Sequence, residues 1–161
     1  MSKVEVTQIE EDRYGQLQLM ALDYAREGET SNLEVMIKHG LSVNLCTHKD
    51  DTLLMLAAYN GNVGTAKMLI ENGASLDQKN ERGQTPLEGV CFKGNLEMVK
   101  LLVENTATIH KNAIIYASIF GHKEIVNYLK DKGDDKNRLT FFGASMLTLV
   151  TIISKIKKLF K

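Results

Sequence analysis

Proline is almost missing from this chain of 161 residues, with Pro86 alone, and aromatic residues reach only 6%. Both scarcities suit a mostly helical protein, because proline inside a helix removes an amide donor and clashes with the preceding turn. Cysteine is nearly absent too. Cys46 and Cys91 form no CxxC pair and have no histidine-rich neighbourhood, which argues against a zinc site or a redox pair and suits a reducing, cytoplasmic setting. Neither sign of charge is in excess, since 20 Lys and Arg balance 20 Asp and Glu. A nucleic-acid binder normally carries a basic surplus or stripe, so no nucleic-acid partner is expected.

Long apolar runs are also lacking. The first residues, MSKVEVTQIEEDRYG, carry acids where an export signal needs an apolar stretch, so none is expected there. The one extended apolar stretch, Leu139 to Ile153, is 15 residues long and is interrupted by Thr140, Ser145, Thr148 and Thr151. A spanning helix needs about 20 apolar residues, so a membrane-spanning role is not expected. Catalytic motifs are missing as well: there is no Gly-rich phosphate loop, no HExxH and no GxSxG. The four histidines, His39, His48, His110 and His122, are scattered along the chain. A non-enzymatic protein is the expectation.

What the chain does have is internal repetition, the feature to look for before assigning any fold. Gly28, Gly61 and Gly94 follow one another at intervals of 33 residues, and Gly121 comes 27 later. Small residues precede these glycines: Ala57 and Ala58, Val90 and Cys91, Ala117 and Ser118. A second glycine closes three of the units 12 residues on, at Gly40, Gly73 and Gly133. Thr52 and Thr85 stand where an N-cap oxygen satisfies free helix amides, and Pro86 follows at the first helical position. Leu54, Leu56 and Ala57 recur at helical spacing, and Ala66, Leu69 and Ile70 or Val99, Leu101 and Leu102 mark a second helix. The closing glycines predict left-handed C-caps. One such helix pair cannot bury its own apolar face, so stacking must supply the core.

The third unit, with Gly83-x-Thr85-Pro86-Leu87, then Gly94-Asn95-Leu96-Glu97-x-Val99 and Leu101-Leu102, resembles the ankyrin signature. The resemblance covers Leu17 to Asp134 and implies an all-α ankyrin-repeat solenoid of about four helix–turn–helix repeats, over 17–46, 47–79, 80–109 and 110–134. Residues 1–16 form an N-terminal extension that either lengthens the first helix or lies over the end of the stack; Thr7-Gln8-Ile9-Glu10 there matches a capping box. Residues 135–161 read as a C-terminal amphipathic capping helix, with a dimer seam or a membrane-surface helix as alternatives. Several positions depart from the family pattern. Met55 and Glu88 stand where histidine is common, Thr106 replaces a closing glycine, and the connection into the fourth unit is shortened.

In such a stack the concave surface is built from the loop fingers and the ends of the first helices. The resemblance therefore places Arg26 and Glu27, Tyr59 and Asn60, Phe92 and Lys93, and Ile119 and Phe120 there. The finger tips are His48, Lys49 and Asp51, then Glu81, Arg82 and Gln84. Tyr59, Phe92 and Phe120 form an aromatic row that is either a contact site or folded back into the stack. The forms Gly83-Gln84-Thr85-Pro86-Leu87-x-Gly89-x-x-Phe92-Lys93-Gly94 and Leu56-Ala57-Ala58-Tyr59-Asn60-Gly61-Asn62 resemble the small bacterial ankyrin proteins that accompany catalases. That resemblance implies a catalase partner and haem binding or delivery. Tyr59 would be the ligand, with His48 as a rival, Phe92 would stack on the macrocycle, and Lys93, Lys49 or Arg82 would meet the propionates. The alternative is a protein-interaction scaffold or effector with no small-molecule ligand.

Overall fold

The structure is a computed structural model that describes residues 3–133, and eight helices lie among them. They come in antiparallel pairs: α1 (Lys3–Glu27) with α2 (Thr30–Lys38), α3 (Leu53–Tyr59) with α4 (Val63–Glu71), α5 (Pro86–Lys93) with α6 (Leu96–Glu104), and α7 (Lys111–Ile119) with α8 (Lys123–Lys132). The first helices of the pairs, α1, α3, α5 and α7, touch in succession and form an inner column. The second helices, α2, α4, α6 and α8, form an outer one.

Side-chain size sets the spacing of the columns. Ala25, Ala58 and Cys91 occupy one repeat position and are all buried, as are Ala57, Val90 and Ala117 at the neighbouring position. Small residues there let the inner helices approach closely, while larger Leu54, Leu87 and Ile114 are buried at a third equivalent position. On that column Leu69, Leu102 and Leu129 repeat the same burial. Ser118 is the exception to the run of small buried residues. It faces solvent and returns its hydroxyl to the Ile114 carbonyl at 2.7 Å.

The helix starts follow the sequence pattern. Thr52 Oγ accepts the Met55 amide at 3.2 Å. Thr85 accepts the Glu88 amide while the Glu88 carboxylate accepts the Thr85 amide, a reciprocal capping box. This explains the acid at a position where histidine is common: Glu88, only 2% exposed, closes the first turn of α5.

Two expectations change. Residues 3–16 are continuous with α1, so Thr7 lies inside a helix and cannot be its N-cap. Gly133 has φ −67° and ψ 134°, an extended conformation and not a left-handed cap, whereas Gly40 and Gly73 do turn left-handed at φ 101° and 86°. Thr106, in place of the third closing glycine, keeps the left-handed turn at φ 73° instead of reshaping it. The C-terminal amphipathic segment, 135–161, lies outside the described residues.

The connections place the site. Residues 39–52 and 72–85 link successive pairs with 14-residue loops that carry the fingers, but 105–110 is a link of only six. Two fingers therefore stand over four inner helices.

Candidate functional site: the aromatic groove

Arg26, Tyr59, Phe92 and Ile119 occupy the same position in successive repeats, at the C-terminal end of each inner helix. Inter-repeat hydrogen bonds hold those ends. The Asn62 amide donates to the carbonyls of Ala25 at 3.1 Å and Arg26 at 2.8 Å. One repeat pair further on, His122 Nε2 meets the Phe92 carbonyl at 3.1 Å. His122 can approach because Gly94 has no side chain: a Cβ there would lie 2.3 Å from the His122 ring, and its φ is 84°. His122 thus has a structural partner.

The aromatic row has one member off register. Tyr59 and Phe92 lie near-parallel, at 14°, with centroids 6.5 Å apart. Phe120 sits one residue beyond the equivalent position and meets Phe92 edge-on, at 4.4 Å and 64°. The rings touch one another yet stay open to solvent, at 44%, 37% and 48% exposure for Tyr59, Phe92 and Phe120. They are packed and available together, where the sequence allowed either. The ammonium of Lys93 lies 4.4 Å from the Tyr59 ring centroid, a cation–π contact.

Beside the rings, between α3, α5 and the fingers, is a cavity of about 380 Å³. Tyr59, Asn60 and Phe92 line it from the helices, and Asp51, Arg82 and Gln84 from the fingers. Arg26 lines it as well, and Met55, Leu56 and Pro86 are among its apolar residues. Lys49 and Phe120 lie outside the lining. His48 is exposed on the first finger and also lies outside it, so it is not brought to the cavity that Tyr59 lines.

Asn80 went unnoticed in the sequence. It is buried, and its side-chain oxygen accepts the Arg82 and Gln84 amides, each at 3.0 Å, shaping the second finger. Its side-chain amide donates to Asp51 at 2.7 Å and so ties the two fingers together. Thr47 does the equivalent work in the first finger, accepting the Lys49 and Asp51 amides at 3.2 Å. The 33-residue spacing of Thr47 and Asn80 was the available signal, since both types cap turns with a side-chain oxygen. Gly89 stood in the sequence only as part of a family motif, with no place at the groove. It lies inside α5 and lines the cavity, and a Cβ there would meet only the Tyr59 ring, at an ordinary 3.7 Å.

The thiols are quiet. Burial, with the Glu88 charge second, pushes Cys91 up to about 12, and burial followed by nearby Asp50 raises Cys46. Among the described residues no group of three or more His, Cys, Asp or Glu side chains is placed to hold a metal ion, and no helix is long and apolar enough to cross a membrane.

A sequence model of ankyrin repeats, in three copies, matches residues 17–113 and 77–140. The chain belongs to the ankyrin-repeat family. The ankyrin repeat protein PA3287 of Pseudomonas aeruginosa is 49% identical over 43 residues, 27% of this chain and 25% of that protein. The ankyrin repeat domain of human ASB11, known from a crystal structure, superposes with a TM-score of 0.65 at 30% identity, over 71% of this chain and 54% of that one. The chain thus spans about a quarter of the first relative and about half of the second. Ankyrin stacks are generally binding scaffolds, and this chain is an all-α solenoid of that kind.

Proposed function

We propose that the concave groove binds a protein partner without catalysing a reaction, with a bacterial catalase as the partner implied by the sequence resemblance. The observation that carries this reading is the row Tyr59–Phe92–Phe120, whose rings contact one another while each remains more than a third exposed. Exposed aromatics on a rigid support make effective anchors, because few rotatable bonds are frozen when they are covered. Gly89 adds support. A glycine inside a helix costs about 0.5–1 kcal/mol relative to alanine, and the chain's own packing leaves room for the methyl group. A side chain there would stand at the cavity wall beside Tyr59, so glycine keeps that space open. The test is isothermal titration of the full chain with the catalase of the same organism. Saturable binding lost in Phe92→Ala, with circular dichroism unchanged, supports the reading, and binding that Phe92→Ala leaves intact removes the groove from it.

Haem capture is a second reading, favoured by one observation: Tyr59, Phe92 and two guanidiniums, Arg26 and Arg82, line one cavity. Tyr59 would hold the iron, Phe92 would cover the macrocycle, and the arginines would meet the propionates. Bound there, the group would be cargo to be handed on. Polar side chains outnumber aliphatic ones in the lining, which suits a peptide better than a porphyrin. Haemin titration separates the readings. A saturable Soret shift that Tyr59→Phe abolishes supports haem capture, and no saturable shift removes it.

A further inference from the structure

We infer that the groove recognises a short acidic segment that also carries an aromatic or aliphatic side chain, its carboxylates meeting Arg26 and Arg82 and its apolar residue covering the rings of Phe92 and Phe120. The inference rests on the reading of the groove as a partner site and adds the chemistry of what fills it.

The two ends of the row differ in kind. In the first repeat the position held by Tyr59 and Phe92 belongs to Arg26, so a guanidinium replaces a ring. Arg26 and Arg82 both line the cavity, and the single carboxylate among its lining residues is Asp51. That carboxylate is already committed. Its side chain is only 20% exposed, accepts the Asn80 amide at 2.7 Å and lies 3.6 Å from Arg82. Arg82 is 69% exposed, and Arg26 spends one nitrogen on Asp23 at 2.6 Å. A guanidinium has five N–H donors, so both keep donors for an incoming carboxylate. Lys93, held over Tyr59, extends the positive charge along the row. Exposed Glu27, Asp50 and Glu81 are close in sequence to these cations but do not line the cavity. At the other end Phe92 and Phe120 offer ring edges and faces, with no cation among the cavity-lining residues beyond them. A chain with zero net charge therefore presents a locally cationic groove, which steers acidic partners and rejects basic ones.

The test uses the full chain, immobilised, to select from a phage-displayed library of random short peptides. An enriched peptide is then measured by fluorescence anisotropy against Arg26→Gln, Arg82→Gln and Phe92→Ala. The expected result is enrichment of Asp and Glu beside Phe, Tyr or Leu, with binding weakened about tenfold by either arginine substitution, the size of one charged hydrogen bond. Binding should also fall as salt rises. Enriched peptides without acidic bias that still need Phe92 overturn this inference and leave the groove reading standing. Enrichment indifferent to Phe92→Ala and to both arginine substitutions, or no enrichment at all, overturns both.

Discussion

Thr106→Gly should stabilise this protein, although it removes a side chain and adds a flexible residue. The turn after α6 repeats the turns after α2 and α4 bond for bond. Thr106 donates its amide to Val103 at 3.0 Å and Ala107 to Leu102 at 3.0 Å, while Gly73 donates to Ile70 at 2.9 Å and Ala74 to Leu69 at 3.0 Å. The backbone at 106 is therefore forced left-handed, φ 73°, by the same helix-ending pattern that puts Gly73 at φ 86°. For a residue with a Cβ that conformation costs about 1–2 kcal/mol. Glycine removes this cost but loses more freedom on folding, a penalty of about 0.5–1 kcal/mol. The net expectation is a gain of roughly 0.5–1 kcal/mol, or about 2 °C in melting temperature for a chain of this size. Urea unfolding followed by far-ultraviolet circular dichroism measures it. Thr106→Ala keeps the Cβ and should gain little, and Gly73→Thr should lose about what Thr106→Gly gains. If Thr106→Gly is neutral or destabilising while Gly73→Thr costs stability, strain at 106 is not the reason and the argument fails.

Other consequences follow from the same geometry. Gly94→Ala should cost about 2–3 kcal/mol, because it sets a Cβ against the His122 ring, strains φ 84° and displaces the His122–Phe92 hydrogen bond; adding His122→Ala should recover part of the loss in a double-mutant cycle. Gly89→Ala should raise stability by about 0.5–1 kcal/mol while weakening partner binding, a split that melting and titration on one sample will read. Asn80→Ala strips two finger amides and Asp51 of their partner and should cost about 1–3 kcal/mol, read from the urea midpoint. The folded Cys91 thiol holds its proton up to about 12 while the unfolded thiol releases it near 9.0, so the unfolded state binds fewer protons between those values and stability falls as pH rises through them. Cys91→Ala should flatten that part of the stability–pH curve.

Much of the stack was legible in the chain because its determinants are local and repeat. Thr52 and Thr85 cap their own helices, Gly40 and Gly73 end theirs, and apolar spacing shows which side of each helix is buried. The N-terminal extension was harder to read. Thr7 and Glu10 carry a real capping pattern, but α1 runs from Lys3 through Gly15 to Glu27, so the pattern starts no helix and the local residue types alone did not show it. Gly133 misled for a related reason: a glycine permits the left-handed turn without requiring it. The site was half legible. The ends of the inner helices could be numbered from the repeat, so Arg26, Tyr59 and Phe92 could be assigned to one ledge.

The sequence by itself determined the period, the helices, the four-unit stack and the identity of the residues on the ledge, because each depends on neighbours within one repeat. Only the tertiary structure decided which of those residues meet. The shortened link at 105–110 and the single-residue offset of Phe120 bring Phe120 onto Phe92. The Asn80–Asp51 bond ties two fingers 29 residues apart in sequence and holds Asp51 within 3.6 Å of Arg82 at the cavity, while His48 stays outside it. These are contacts between repeats, set by how the columns stack, and no pattern within one repeat encodes the distance between side chains of two.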